Sequence, residues 1–252
     1  MRQFFYIFIL FVSFLGNAQN EALFNKATDF YNSGAYQKAI DNYLKILDNG
    51  QHSAELYFNL GNSYYKLNKV APSIYYYEKA LLLKPGDNEI RNNLGYAQNM
   101  TLDAIETMPK TGLSKIYDSI IGSLSFDQWA YGAIGLMLLF VLLYIAFYYL
   151  RYAGQKRTAF IAGTISLIAA VVCLIFAFLQ YTEFTSDRPA IVFSEEISIK
   201  SEPNERSQEV FKLHEGTKVN VLEELGDFNK IRLGDGKTGW LLKTDIKLLK
   251  DF

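Results

Sequence analysis

Residues 53–87 read SAELYFNLGNSYYKLNKVAPSIYYYEKALLLKPGD, and the same spacing recurs on either side of this stretch at an offset of about 34 residues. Leu23 falls over Tyr57, Ala27 over Gly61 and Gly95, Phe30 over Tyr64, Ala39 over Ser73, Ile40 over Ile74 and Tyr43 over Tyr77. Within each unit apolar residues return at i, i+3, i+4 and i+7, the stripe of an amphipathic helix. Ala27, Ala39, Gly61, Ser73 and Ala80 are small, as they must be where two antiparallel helices cross closely. Gly34 and Asn68 sit one repeat apart and are the residue types that accept a left-handed helix C-cap cheaply. Pro72 lies in the first turn of the next helix, and Pro85 closes the unit. The pattern predicts paired helices over 20–53 and 54–87, followed by a single capping helix over 88–101.

Composition limits what surrounds this region. The chain has 252 residues, 50% of them apolar and only 20% charged, which is too greasy for a single soluble globule. Lys and Arg number 25 against 26 Asp and Glu, so no global basic field exists to hold nucleic acid. One cysteine cannot form an internal disulfide, and with two histidines it cannot complete a four-ligand zinc site unless carboxylates supply the rest. No cofactor and no metal ligand set is expected.

Three apolar stretches follow different rules. Arg2 precedes a run from Phe4 to Leu15, and Gly16-Asn17-Ala18 follows; this is the layout of a secretory signal over 1–18, with an uncleaved anchor as the alternative. No Cys follows that run, which argues against a lipoprotein anchor. Residues 127–150 and 158–181 each contain an uncharged run long enough to cross a bilayer, with Trp129 and Tyr131 at one end of the first and Tyr148, Tyr149 and Tyr152 at the other. Between them, 151–157 carries Arg151, Lys156 and Arg157 and no acid, so this loop is expected in the cytoplasm and both soluble ends outside it. No ionisable residue lies inside either uncharged run, which argues against transport. In 106–126, Leu113, Ile116, Ile120, Ile121 and Leu124 share one helical face, consistent with an interfacial helix or an ordinary linker.

From Arg188 the period shortens to that of strands: Ala190–Phe193, Ile197–Ile199, Glu209–Leu213, Lys218–Leu222, Asn229–Leu233 and Thr238–Leu242, separated by Glu202-Pro203-Asn204, Glu215-Gly216, Gly226-Asp227 and Asp235-Gly236. Short strands in so little chain suggest a small barrel over 188–252. Gly236-Lys237-Thr238 imitates the end of a phosphate loop, but Ile231 stands where the first glycine belongs and no helix follows. His214 is expected in a turn without chemistry. Trp240 is either core or a platform on a ligand-binding face.

The helical units resemble the tetratricopeptide repeat. The second copy matches best, with Tyr57, Leu60-Gly61, Tyr64, Ser73, Tyr77, Ala80 and Pro85 at signature positions, whereas the first has Lys26 where an apolar residue is usual. The resemblance implies a concave groove lined by Phe24, Thr28, Tyr31, Phe58, Asn59, Asn62, Tyr65, Lys66, Asn92 and Tyr96, suited to a peptide, although these tyrosines would equally serve inter-repeat packing. Of the Lys/Asn/Arg set of carboxylate-clamp members only Asn59 is in place. The C-terminal segment resembles bacterial SH3-like domains through Ser201-Glu202-Pro203, Leu213 to Val219, Lys230 to Leu233 and Gly236 to Leu241, with Trp240 on the face where a ligand would bind.

The fold class expected is therefore a multidomain membrane protein: an all-α tetratricopeptide solenoid, two transmembrane helices and a small all-β SH3-like barrel. That domain order is similar to the BatE-type proteins of the Bacteroidetes aerotolerance (Bat) operon. The resemblance implies protein partners among Bat membrane proteins with von Willebrand factor A domains, a MoxR-type ATPase on the cytoplasmic side, and an inner-membrane address with both soluble domains periplasmic. The chain lacks a nucleophile elbow, an H-E-x-x-H and a dinucleotide fingerprint, so a non-enzymatic scaffold is expected. A module that senses cell-wall peptides through the SH3-like barrel is the alternative.

Overall fold

The computed structural model describes residues 19–105 and 112–250, so the expected signal segment 1–18 lies outside the described residues. Helix α1 covers 19–32, followed by α2 (Tyr36–Asp48), α3 (Ala54–Lys66), α4 (Val70–Leu83) and α5 (Asn88–Gln98). Local chemistry sets the boundaries. Ser53 caps α3 by accepting the Leu56 N–H, and Asp87 caps α5 by accepting those of Glu89 and Ile90. Gly34 and Asn68 take the left-handed conformation at φ +80° and +56°, ending α1 and α3 as their residue types allow. Gly61 lies so close to the Tyr77 ring that a Cβ there would come within 2.6 Å of it, and its carbonyl accepts a buried hydrogen bond from Ser73 Oγ at 3.0 Å. Ala27, Ala39, Ser73 and Ala80 are fully buried along the same crossings.

The C-terminal strands are β1 (Pro189–Val192), β2 (Glu196–Lys200), β3 (Glu209–His214), β4 (Lys218–Leu225), β5 (Phe228–Arg232), β6 (Thr238–Leu242) and β7 (Ile246–Leu248). They form one antiparallel sheet in the order β3-β2-β6-β5-β4-β1-β7. The final strand has only three residues after a 3-10 turn, too short to leave a periodic signal, and it exists because β1 offers it a free edge at Ala190, Ile191 and Val192.

The helices and the sheet belong to one compact unit, although residues 108–187 separate them in the chain. Strand β1 shows how they join. Ala190 and Val192 point into the sheet core with Ile199, Val221 and Ile231, while Ile191 on the opposite face joins Ile74, Tyr75 and Leu249 in the helical core. A strand buried on both faces must be apolar throughout, and Ala190-Ile191-Val192-Phe193 is. Phe193 meets Tyr75 edge-to-face with ring centroids 5.5 Å apart. Polar contacts complete the joint: Glu78 of α4 pairs with Lys218 at 2.7 Å, and Asp103, after α5, accepts from the His214 N–H (2.7 Å), His214 Nδ1 (2.8 Å) and Thr217 Oγ1 (2.5 Å). Burial pushes the Asp103 carboxyl up, but the donors of Thr217 and His214 outweigh it and hold it below its ordinary value of 3.8.

The second unit, Met108–Asp187, is a helical hairpin preceded by a short helix. Helix α6 (Leu113–Ile120) passes through a 3-10 turn into α7 (Phe126–Tyr149), which opens with a reciprocal cap between Ser125 and Gln128, and α8 follows (Ala153–Ser186). Helices α7 and α8 are long and apolar enough to cross a membrane, and most of their apolar side chains face outward. They pack through small residues, Gly163 against Phe140 and Leu143, and through Ser166 Oγ donating to the Leu136 carbonyl at 2.7 Å. The loop expected over 151–157 is shorter than the sequence suggested. Nothing in Ala153-Gly154-Gln155-Lys156-Arg157 breaks a helix, so these residues form the first turn of α8 and leave Leu150, Arg151 and Tyr152 as the connection. At about 1.5 Å per residue, 34 helical residues outreach a hydrocarbon core of roughly 30 Å, so the basic first turn has room to stand outside it.

Two outcomes test the joint. Gly216 has φ +85°, and a Cβ there would lie 2.8 Å from Thr101 Cγ2 and 3.0 Å from Ile74 Cδ1, whereas Gly34 at φ +80° faces open space. Gly34→Ala should cost about 1 kcal/mol from backbone alone, and Gly216→Ala about 2–3 kcal/mol, read from unfolding of the full chain. The stability Asp103 contributes is complete above the ordinary carboxylate value and drains away as pH falls through its lower folded-state value. The gap in melting temperature between wild type and Asp103→Asn should therefore narrow as pH falls below the ordinary carboxylate value of 3.8.

Candidate functional site

The groove expected on the first helices of the repeats exists around a hub that periodicity does not reveal. Asn62 on α3 accepts two hydrogen bonds at its Oδ1, from Tyr77 OH of α4 at 2.6 Å and from Asn93 Nδ2 of α5 at 2.9 Å. Its amide thus ties three helices together, and its Nδ2 has no acceptor among the described residues. Tyr31, Tyr65, Lys66 and Tyr96 surround this hub, and together with Asn62, Tyr77 and Asn93 they line a cavity of about 180 Å³.

The electrostatics of the cavity are one-sided. Lys66 is the single charged residue in the lining, with no carboxylate beside it, and it has no ion-pair partner among the described residues. Burial, reinforced by the neighbouring Tyr31, drives the Tyr77 hydroxyl far above its ordinary value, and burial and Tyr36 raise that of Tyr31. Both phenols are therefore neutral donors at any physiological pH. Tyr96 is exposed at 62%, an aromatic ring left open at the mouth.

The remaining sequence candidates divide. Phe24 lines a separate cavity of about 310 Å³ with Asn20, Ile46 and Leu56, and its ring meets Tyr43 edge-to-face at 5.5 Å. Thr28 Oγ1 lies 3.0 Å from Tyr43 OH and from the Phe24 carbonyl, so it serves packing within the first repeat. Phe58 tilts against Tyr77 at 5.9 Å, and Asn59 is half-buried with its carbonyl accepting from Ser63. Asn92 does not belong to the cavity. It is exposed, and Asn93 takes the position instead, since one residue along a helix rotates a side chain by about 100°. The repeat offset applied to Asn59 would have pointed to Asn93; Tyr77 was missed because its signature role is packing.

Trp240 is 8% exposed, inside the sheet, with Lys230 Nζ 5.7 Å from its ring centroid. The ring is thus buried with an ammonium over it, a place in the core rather than an open platform. His214 lies at the end of β3 and serves the joint with Asp103. Among the described residues no group of His, Cys, Asp and Glu is arranged to hold a metal ion.

Comparison with protein families gives two local matches, the tetratricopeptide repeat over residues 54–87 and the bacterial SH3 domain over residues 195–247. No curated protein matches the chain. The first match spans α3 and α4, and the second runs from the start of β2 into β7. Both are protein-interaction folds, and together with two apolar helices they describe an interaction protein with a helical repeat region, two candidate membrane spans and an SH3-like domain.

Removing the hub has a definite cost. Asn62→Ala should lower stability by about 1–3 kcal/mol, because the Tyr77 hydroxyl and the Asn93 amide lose their shared acceptor. Tyr65→Phe, which keeps the packed ring and removes a hydroxyl with no hydrogen-bond partner among the described residues, should cost less in the same denaturation experiment.

Proposed function

We propose that this protein is a non-enzymatic membrane scaffold that presents its repeat groove and its SH3-like domain together on the periplasmic side of a bacterial inner membrane. The observation that carries the reading is the shared core of helices and sheet, with Ile191 and Leu249 packed among residues of α4 and α5. Two segments joined in one core lie in one compartment. Whatever the chain does between Thr107 and Arg188, it crosses the membrane an even number of times, which suits a hairpin of two spans. Arg151, Lys156 and Arg157 at the bend favour the cytoplasm for that bend and the opposite side for the folded unit. A cleavable signal over 1–18 agrees with the same orientation.

The groove stays open because the sheet occupies other surface. Gly216 of the sheet packs on Val70 and Ile74 of α4, and Lys218 pairs with Glu78, whereas the cavity opens on α1, α3 and α5. Its lining offers an ammonium, an amide and phenols with no carboxylate, which suits the carbonyl-rich backbone of an extended peptide bearing acidic side chains. In the finer reading the partners are Bat-type membrane proteins with von Willebrand factor A domains, and the assembly supports aerotolerance.

Protease added to intact spheroplasts should digest 19–105 and 188–250 while sparing an epitope placed in 151–157; protection of the folded unit would reverse the topology. Affinity purification of the full chain should recover envelope membrane proteins, and the recovery should fall with Tyr65→Ala combined with Lys66→Ala. Equal recovery by wild type and variant would remove the groove from the reading.

A further inference from the structure

The SH3-like sheet carries an open cavity of about 340 Å³. Ile197, Phe228, Leu241 and Leu242 give it an apolar floor, and Glu196, Glu205 and Asp245 stand around it against one cation, Lys200. The acids are not equivalent. Glu196 is engaged by Lys212, and its other oxygen lies 3.8 Å from His214 Nε2. Asp245 accepts from Ser194 Oγ at 2.7 Å and meets no cation, and Glu205 has neither a hydrogen bond nor an ion pair among the described residues. Two carboxylates beside an apolar surface are thus left without a positive partner.

We propose that this cavity is a docking site for an extended, basic segment of a partner protein, in which lysine or arginine side chains alternate with apolar ones. The floor takes the apolar side chains, the carboxylates of Glu205 and Asp245 take the cationic ones, and charge complementarity sets the choice of partner. Cell-wall stem peptides fit poorly, because each carries several carboxylates that would face Glu205 and Asp245 in like-charge contact. The site is independent of the repeat groove, whose lining is donor-rich and has the opposite charge preference.

The test uses the full chain in nanodiscs of zwitterionic lipid and fluorescence anisotropy, with empty nanodiscs as background. The probes are a fluorescein-labelled octapeptide of alternating leucine and lysine, its leucine and glutamate counterpart, and a labelled stem tetrapeptide containing diaminopimelate. The lysine peptide should bind saturably, and Glu205→Lys should weaken it roughly fivefold. Glu205 is exposed and makes no intramolecular bond among the described residues, so this substitution leaves the fold intact. Tyr65→Ala in the repeat groove should leave the affinity unchanged. Binding of the glutamate or stem peptide at equal strength, indifference to Glu205→Lys, or loss with Tyr65→Ala would each overturn the proposal. The first of these would leave the groove reading standing, and only the last would move the ligand to that groove.

Discussion

Strand β1 is buried on both faces, and most of what is distinctive about the protein depends on that. A strand of a small sheet normally keeps one face wet, but here Ile191 enters the helical core while Ala190 and Val192 enter the sheet core. The helices and the sheet therefore cannot part without exposing apolar surface from both cores at once. Asp103 adds direction to this non-specific attraction. Its carboxylate accepts three hydrogen bonds from the β3–β4 turn, so it fixes which part of the sheet meets the end of the repeats. The contact also uses the surface of α4 that a further repeat or a polar capping helix would otherwise cover.

This joint constrains the path of the chain between its two halves. A chain that leaves a folded unit at residue 107 and re-enters it at 188 has to return to its starting side, whichever side that is. Basic residues at the bend between two spans bear on sidedness through the positive-inside bias. It also follows that the unit cannot finish folding until the chain beyond α8 is present, since β1 supplies part of the helical core and follows α8. The repeat groove and the sheet cavity are then carried on one body, with complementary charge preferences: one rich in donors, the other edged by acids.

The limits of sequence reading show at particular residues. Period and small-residue spacing found the helical pairs, because Gly61 and Ser73 are demanded by a close crossing that any such hairpin makes. Five of the ten groove candidates, Tyr31, Asn62, Tyr65, Lys66 and Tyr96, line one cavity. Asn92 lost its place to Asn93, since groove membership turns on about 100° of helix rotation that the α5 cap at Asp87 decides. Trp240 could be read either way, and burial resolves it because only the folded sheet shows what lies above the ring. The three-residue strand β7 carries no period of its own and is defined by its partner.

By itself the sequence determined what local chemistry can specify: the stacked helical hairpins, two helices with uncharged runs of bilayer length and a basic bend, and a set of short antiparallel strands. Each follows from periodicity, capping or an uninterrupted apolar run, which neighbouring residues encode among themselves. Only the tertiary structure decided that the repeats and the SH3-like sheet share a core, because the partners in that contact, such as Asp103 with His214 and Glu78 with Lys218, stand more than a hundred positions apart. No local pattern marks such a pair. A carboxylate beside a turn and a histidine at the end of a strand look ordinary until the fold brings them within hydrogen-bond distance.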